Sequence, residues 1–361
     1  MKRTLYACYG VLALIAALLV TPAMAQTKKK ARPKQPAVGV LGTKQMAGGD
    51  GVFGATYTLA DSGGYIYNVS IVSAEYSVSR HNMHPGAVII PKVGEKLLLL
   101  HLRLQNPKSS DAYIGGNFLA FETVAADNIT RKHGDYLRLA SAKEDMGMTL
   151  KPGQKLPEDV LAVCVIPAAG GVPKLIVNAG RKGTSEAVTR YFLGKTPNVV
   201  RPLPPDDADP ADKTGATARA EVPAKIGETV AAGYYDLRLD SVAFVPDGVG
   251  EARPGDNKHF FVATLTVTNK TWDKNYFNDS LAATLVTADD EKTAFDRGLL
   301  YKGKRDEPFE GRQFEPGESV TMRLLFPVPK DTAGKTLKVA EVIDNSGGTT
   351  RVFVFDVSGM K

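Results

Sequence analysis

The sequence predicts an all-β protein made of two tandem β-sandwiches joined by a Pro/Asp/Ala-rich linker, and three observations carry that expectation. Apolar and polar residues alternate with strand periodicity through most of the chain, one succession of blocks is written twice, and a stretch rich in Pro, Ala and Asp separates the two copies. The plainest repeat is "LAFETVAADN" at residues 119–128 against "LAATLVTADD" at 281–290, which agree at five of ten positions.

Taken in chain order, residues 1–25 read as a secretory signal peptide. Lys2 and Arg3 start it, Val11 to Val20 is an unbroken apolar run, and Ala23-Met24-Ala25 is a small-x-small cleavage site. Cleavage is the expectation; counting the apolar run back to Leu5 gives the alternative, a retained anchor. Cys8 precedes the apolar run instead of following it, which argues against a lipoprotein box. Residues 26–38 follow as a basic disordered tail, with Lys28, Lys29, Lys30, Arg32 and Lys34.

The net charge of +6 is a property of that N-terminus. Seven of the 45 basic residues and none of the acidic ones precede residue 35, so residues 35–361 hold 38 basic against 39 acidic side chains. Such a balance lacks the basic footprint of a nucleic-acid-binding domain. The expected membrane contact is electrostatic and confined to the tail. After cleavage one cysteine remains, Cys164, so no intramolecular disulfide is expected and the fold must stand on its apolar cores.

Residues 39–194 and 226–361 are the two copies. "NVSIVSAEY" at 68–76 answers "DLRLDSVAF" at 236–244, and "LLLLHLRLQN" at 97–106 answers "FFVATLTVTN" at 260–269. After the LA lines, "LKPG" at 150–153 answers "FEPG" at 314–317, and "TRYFL" at 189–193 answers "TRVFV" at 350–354. The period is far longer than a solenoid repeat, which marks a duplicated domain. Residues 195–225, poor in large apolar side chains, are the expected linker, with a semi-rigid polyproline stretch at 202–205.

Within each copy the alternation assigns faces. Phe261, Ala263, Leu265 and Val267 point one way and Val262, Thr264, Thr266 and Thr268 the other; the same parity buries Leu98, Leu100, Leu102 and Leu104 and turns His101 and Arg103 outward. About seven such runs per copy, with a short helix around Ser141 to Met148 as the sole helical candidate, point to immunoglobulin-like β-sandwiches. Cys164 aligns with Phe326 and is expected to face inward as an inert filler.

The blocks "IGETV", "NKHFFVATLTVTNKT" and "FEPGESVTMRLLFPVPKDT" resemble a bacterial exported domain-of-unknown-function family with a telokin-like, immunoglobulin-like fold. In that family a long central strand ends in Asn-x-Ser/Thr and a Pro-Gly-Glu-Ser turn precedes a strand closing in Val-Pro-Lys-Asp. The resemblance covers residues 226 to about 340 well and the first copy weakly, since "KPGQKLPED" replaces the Glu-Ser turn there. It implies fold and export, and it brings no activity and no functional residues.

The chemical motifs are thin. "GDGVFG" at 49–54 fits G-x-G-x-x-G, but "ATYTLA" follows it where a dinucleotide site needs a helix, so the glycines are assigned to a turn. "ADSGG" at 60–64 resembles a serine-protease nucleophile line, yet every histidine lies after Ser62, so a loop is expected. The aspartates at 206, 207, 209 and 212, and at 289 and 290, lack the spacing of a calcium loop. Trp272, Tyr276 and Phe277, with Tyr113 at the place of Tyr276, read as sandwich-end packing. "HNMH" supplies the one metal candidate: His81, Met83 and His84 are borderline and soft ligands suited to copper, with Met146 and Met148 as further thioethers.

The expectation is therefore an exported, non-enzymatic binding or structural protein with a macromolecular partner, no nucleic acid and no cofactor. No catalytic, cofactor or metal residue is assigned, and periplasmic copper handling through His81, Met83 and His84 stands as the alternative.

Overall fold

Each copy folds as two facing sheets because the central strands carry apolar side chains on the parity that meets the opposite sheet. The computed structural model describes residues 49–359 apart from 61–64, 85–86, 116–117, 134–136, 141–146, 157–158, 180–186, 196–198, 278–279, 304, 310 and 344–347. The signal and tail segments, Ser62 and Met146 thus lie outside the described residues.

In the first sandwich the larger sheet runs Leu137–Leu139, Val160–Pro167, Glu95–Gln105, Ile66–Ser77, Val200–Arg201, and Tyr57–Ala60 also pairs with Ile66–Ser77. The facing sheet runs Gly49–Asp50, Ala187–Tyr191, Lys174–Ala179, Leu119–Val124, Thr130–His133. The second sandwich repeats the plan. Its larger sheet runs Thr229–Ala231, Tyr235–Val245, Lys258–Asn269, Ser319–Pro329, Arg297–Lys302, Arg305–Pro308, and its facing sheet runs Glu221–Ala224, Val352–Asp356, Gly334–Glu341, Leu281–Thr287, Lys292–Ala294. Five- and six-stranded sheets exceed the seven strands expected, because the chain adds edge strands of two to four residues.

The duplication extends to irregularities. Ile66–Ser77 slips register between Ile71 and Ser73 against Glu95–Gln105, and Tyr235–Val245 slips between Leu239 and Ser241 against Lys258–Asn269. Those are equivalent places in the two copies. Each sandwich also opens with a strand parallel to its last one, Gly49–Asp50 on Ala187–Tyr191 and Glu221–Ala224 on Val352–Asp356.

The inner-face parity is as read. Leu98, Leu100, Leu102, Leu104 and Cys164 sit in the first core, and Phe261, Ala263, Leu265, Val267 and Phe326 in the second. Each of these leucine, valine and phenylalanine side chains contributes about 1.5–3 kcal/mol by leaving water. Burial pushes the Cys164 thiol well above its ordinary pKa, which leaves it unionised and inert.

Asn106 and Asn269 end the two central strands and are wholly buried. Asn269 donates to the carbonyls of Asp273 (2.8 Å) and Phe314 (3.0 Å), and its Oδ1 accepts from the Thr271 N–H (3.0 Å) and hydroxyl (2.9 Å). Asn106 donates to Ser110 (2.8 Å) and Leu150 (3.0 Å) and accepts from the Lys108 N–H (2.9 Å). A neutral amide is the side chain that supplies both donors and an acceptor at one point. It ties the strand end to the following turn and to the strand that leads into the Pro-Gly turn.

The short helix expected around Ser141 to Met148 falls on residues 141–146, outside the described residues, and Met148 itself opens the strand Met148–Leu150, paired with Ala112–Ile114. Two expectations are corrected. Residues 195–225 are not a free spacer: Glu221–Ala224 is a strand of the second sandwich, and the described residues from 199 to Ala218 are folded onto the first. Val200–Arg201 joins its sheet, and Leu203, Ala208, Ala216 and Ala218 are buried in its core. Alanine suits that role because its small side chain lets backbone lie against backbone, while Asp212 satisfies the turn by accepting from the N–H groups of Thr214 (2.9 Å) and Thr217 (2.8 Å). Finally, Phe277 is core, but Tyr113 and Tyr276 are 51% and 60% exposed, so they do not pack the sandwich ends.

The glycines of "GDGVFG" have structural reasons. Gly54 adopts φ = 79°, and a Cβ on Gly51 would fall 2.5 Å from the Tyr191 ring. The strand Tyr57–Ala60 follows, so no helix N-terminus faces a phosphate there.

Candidate functional site

Between its first two repeated blocks the first copy has residues 77–96 where the second has the shorter 245–259, and the longer stretch holds a hairpin, His81–His84 with Ala87–Ile89, that folds over the outer face of the larger sheet. It does so because that face is apolar there. Met83 and Ile89 bury themselves against Leu97, Leu99, Leu161 and Val163, a cluster separate from the inner core. The second copy has the same device in shorter form: Val249 and Ala252, bridged to each other, cover Phe260, Val262, Leu299 and Leu325. We call both segments straps. Their signal lies in "LLLL" and "VLAVCVI", which are apolar on both parities and therefore need cover on both faces.

Beside the first strap is a cleft of about 420 Å3 between the strand end Glu75–Ser79, His81 and the connecting residues Arg201–Pro204 and Asp207. Polar side chains cross the sheet next to it in a line. Arg201 pairs with Glu75 (2.9 Å) and Arg103 with Asp159 (3.3 Å), and the His101 ring lies between the two carboxylates, 3.5 Å from Glu75 and 3.9 Å from Asp159. His101 and Arg103 are outward, as their parity requires.

Among the described residues the metal candidates are not brought together. His81 lines the cleft, whereas Met83, at the bulge between Asn82 and His84, is 2% exposed and packed in the outer cluster. Met148 packs against the inner core instead. The His84 side chain lies outside the described residues. Among the described residues no group of three His, Cys, Asp or Glu is placed to hold a metal ion.

The two sandwiches belong to one compact unit, Val40–Lys361, and meet at a seam. Arg80 donates to the Gly233 carbonyl (2.9 Å) and pairs with Asp236 (2.6 Å), with side chains only 13% and 15% exposed. Arg351 of the second sandwich pairs with Asp207 beside the cleft (2.6 Å), and the Val93 N–H donates to the Thr349 carbonyl (2.8 Å). Close behind, the buried Glu341 carboxyl accepts from the N–H groups of Tyr234 and Tyr235, both at 3.1 Å. Burial pushes its pKa up to about 8, against the pull of those N–H groups and of Arg80. In the first copy Lys96 is fully buried, donates to the carbonyls of Ala168 (2.7 Å) and Gly170 (2.6 Å) and is lowered to about 8 by burial.

Sequence reasoning missed the seam and both straps. Arg80 and Asp236 are 156 positions apart, and nothing local marks them as partners.

Comparison with known proteins bears on the second sandwich. Residues 224–349 match a domain of unknown function, DUF4352. The resemblance read from the Asn-x-Thr strand end and the Pro-Gly-Glu-Ser turn is therefore shown for that stretch. No curated protein matches the chain. Similar solved structures include an uncharacterized β-sandwich protein from Clostridium difficile 630, at 12% identity and TM-score 0.30, covering 39% of this chain and 97% of that one. The secreted protein MPT63 from Mycobacterium tuberculosis aligns at 14% identity and TM-score 0.27, covering 38% and 97%. The yjhA protein from Bacillus subtilis aligns at 18% identity and TM-score 0.27, covering 37% and 99%.

The DUF4352 stretch contains Asn269, the second strap and most of the second core. Against that strap, Arg323 pairs with Asp306 (2.8 Å) and lies 3.9 Å over the Tyr301 ring, beside a cavity of about 280 Å3 that Ser241 and Thr264 also line. Asp306 Oδ1 and Arg323 Nε are buried there without a hydrogen-bond partner.

Proposed function

We propose that the protein is exported and works without catalysing a reaction, by engaging a macromolecular partner of the cell envelope or its surroundings through the cleft beside the first strap. The observation that carries this reading is the line of polar side chains Arg201–Glu75–His101–Asp159–Arg103 next to that cleft. Glu75 and Asp159, 22% and 30% exposed, sit between neighbours on both sides, and side chains already ordered lose less freedom on binding. Export is supported by the signal-like residues 1–25, and the near-neutral charge of residues 35–361 favours a partner other than nucleic acid.

A photo-reactive residue at Ser79, which lines the cleft, tests the reading in the native envelope, with Ile129, 54% exposed in a turn, as control. A discrete adduct is expected from position 79 and not from 129, and it should vanish when Glu75→Arg reverses the central charge. Equal labelling at both positions, or an adduct indifferent to Glu75→Arg, rejects the cleft. Copper titration of the mature chain beside His81→Ala separates the alternative. Equal affinities are expected because Met83 is packed away, and a clear loss in the variant would restore the metal reading.

A further inference from the structure

One wall of the cleft beside the first strap is a strand edge that its neighbour leaves uncovered. Ile66–Ser77 pairs in parallel with Val200–Arg201, and the last registered pair is Glu75 with Arg201. Pro202 follows, which has no N–H to carry the ladder on, and the next N–H, that of Leu203, turns away to the Gly215 carbonyl (3.0 Å). On the other side of the strand, the pairing with Glu95–Gln105 ends at Ser77 and Leu97. Tyr76 to Ser79 and Pro202 to Pro204 thus line the cleft with no registered pair between them.

Val78 is the informative residue. It is 6% exposed and belongs to the first core, yet among the described residues neither its N–H nor its carbonyl has a hydrogen-bond partner. The neighbouring Ser79 N–H, by contrast, donates to the Ser77 hydroxyl (3.1 Å). Backbone groups of a buried residue are nearly always paired. What fills a donor and an acceptor of one strand residue together is the backbone of another strand.

The parity of the edge says which side chains that strand would carry. Tyr76 and Val78 point into the core, where Leu203 is also buried, whereas Glu75, Ser77 and Ser79 take the opposite parity and line the cleft with His81. A strand laid along this edge meets apolar surface with every second side chain and polar surface with the others.

We propose that the cleft takes an extended segment of a partner protein, which joins the sheet as a strand along Tyr76–Ser79 and alternates apolar with small polar side chains. Those four residues span about 13 Å. The proposal rests on the partner reading above and deepens it: the partner is a polypeptide, held there by backbone hydrogen bonds.

NMR titration of the mature chain with the peptide N-acetyl-Ser-Val-Thr-Val-Ser-amide tests it, beside two isomers N-methylated either at both valines or at the threonine and the C-terminal serine. Successive strand residues aim their N–H groups alternately toward and away from a neighbour. One isomer is therefore expected to bind at least tenfold more weakly while the other binds as the parent peptide does. Loss at the valines makes the added strand antiparallel, and loss at the polar positions makes it parallel. Shifts are expected at residues 75–79 and 201–204, and the Val78 amide should exchange with solvent at least tenfold more slowly when the peptide saturates. No binding, shifts elsewhere, two isomers that behave alike, or unchanged exchange at Val78 each overturn strand addition. A dimer of the chain alone that protects Val78 overturns it in favour of a second copy. The Ser79 adduct keeps the two failures apart. An adduct that persists while the peptide fails leaves the cleft with a partner of other chemistry, and peptide binding without an adduct keeps the strand site and rejects the envelope partner.

Discussion

Arg80 of the first sandwich and Asp236 of the second form an ion pair of 2.6 Å across the seam, with both side chains at least 85% buried. The same guanidinium donates to the Gly233 carbonyl, so it closes the turn that Glu341 holds from the other side. Removing one partner leaves the other's charge in a place water barely reaches. Arg80→Ala is expected to destabilise the protein by about 3 kcal/mol, whereas Arg80→Met with Asp236→Leu should recover most of that loss. Urea unfolding of the four members of this double-mutant cycle measures it. An additive cycle, with no coupling between the two positions, would show the pair to be incidental.

Asn269→Ala removes four hydrogen bonds at one point, among them the buried one to the Phe314 carbonyl. The expected loss is about 3 kcal/mol or more. Asn269→Asp should be no better, since a carboxylate would face the carbonyls of Asp273 and Phe314. Asn106→Ala should act alike in the first sandwich. Thermal melts decide it, and a shift of less than a few degrees for Asn269→Ala would contradict the capping role.

The inner faces were legible because period-two alternation is a local property. Leu98 to Leu104 and Phe261 to Val267 needed no knowledge of their neighbours. The outer face was legible only in part. His101 and Arg103 are polar and outward, but Leu97, Leu99 and Val262 occupy the same parity, and their cover comes from straps that read as loops. The connecting segment looked like a spacer because its buried residues are mostly alanines, whose burial leaves no amphipathic signature. The seam and the cleft depend on how distant segments meet.

Met83 discriminates packing from ligation. As a member of the outer cluster with Leu97, Leu99, Leu161 and Val163, its truncation to Ala should cost about 2–4 kcal/mol and its replacement by Leu less than about 1.5 kcal/mol. A copper ligand would behave differently, since Leu would abolish metal affinity as fully as Ala. Denaturant midpoints and copper titrations on the two variants give both readouts. Ala and Leu variants of equal stability would show that the strap is not held by this side chain.

The stability profile with pH follows from three buried groups whose pull differs in sign. Glu341 is raised from 4.5 to about 8 by burial, so the folded state holds its proton longer than the unfolded chain and stability falls as pH rises through that window. His133, 2.7 Å from the Thr123 hydroxyl, is lowered by burial and by Arg131 from 6.5 to about 4, so it adds stability as pH rises from about 4 to 6.5. Lys96 is lowered by burial from 10.5 to about 8, so its buried charge is relieved, and stability rises, above pH 8. The first two oppose each other up to about pH 6.5, after which Glu341 acts alone until Lys96 takes over. Stability is therefore expected to dip near pH 8, and Glu341→Gln, which keeps one acceptor for the Tyr234 and Tyr235 N–H groups, should remove the fall between pH 6.5 and 8. Urea midpoints at half-unit steps from pH 5 to 10 check this; a wild-type curve still rising from pH 6.5 to 8 would mean that Glu341 is ionised in its pocket throughout.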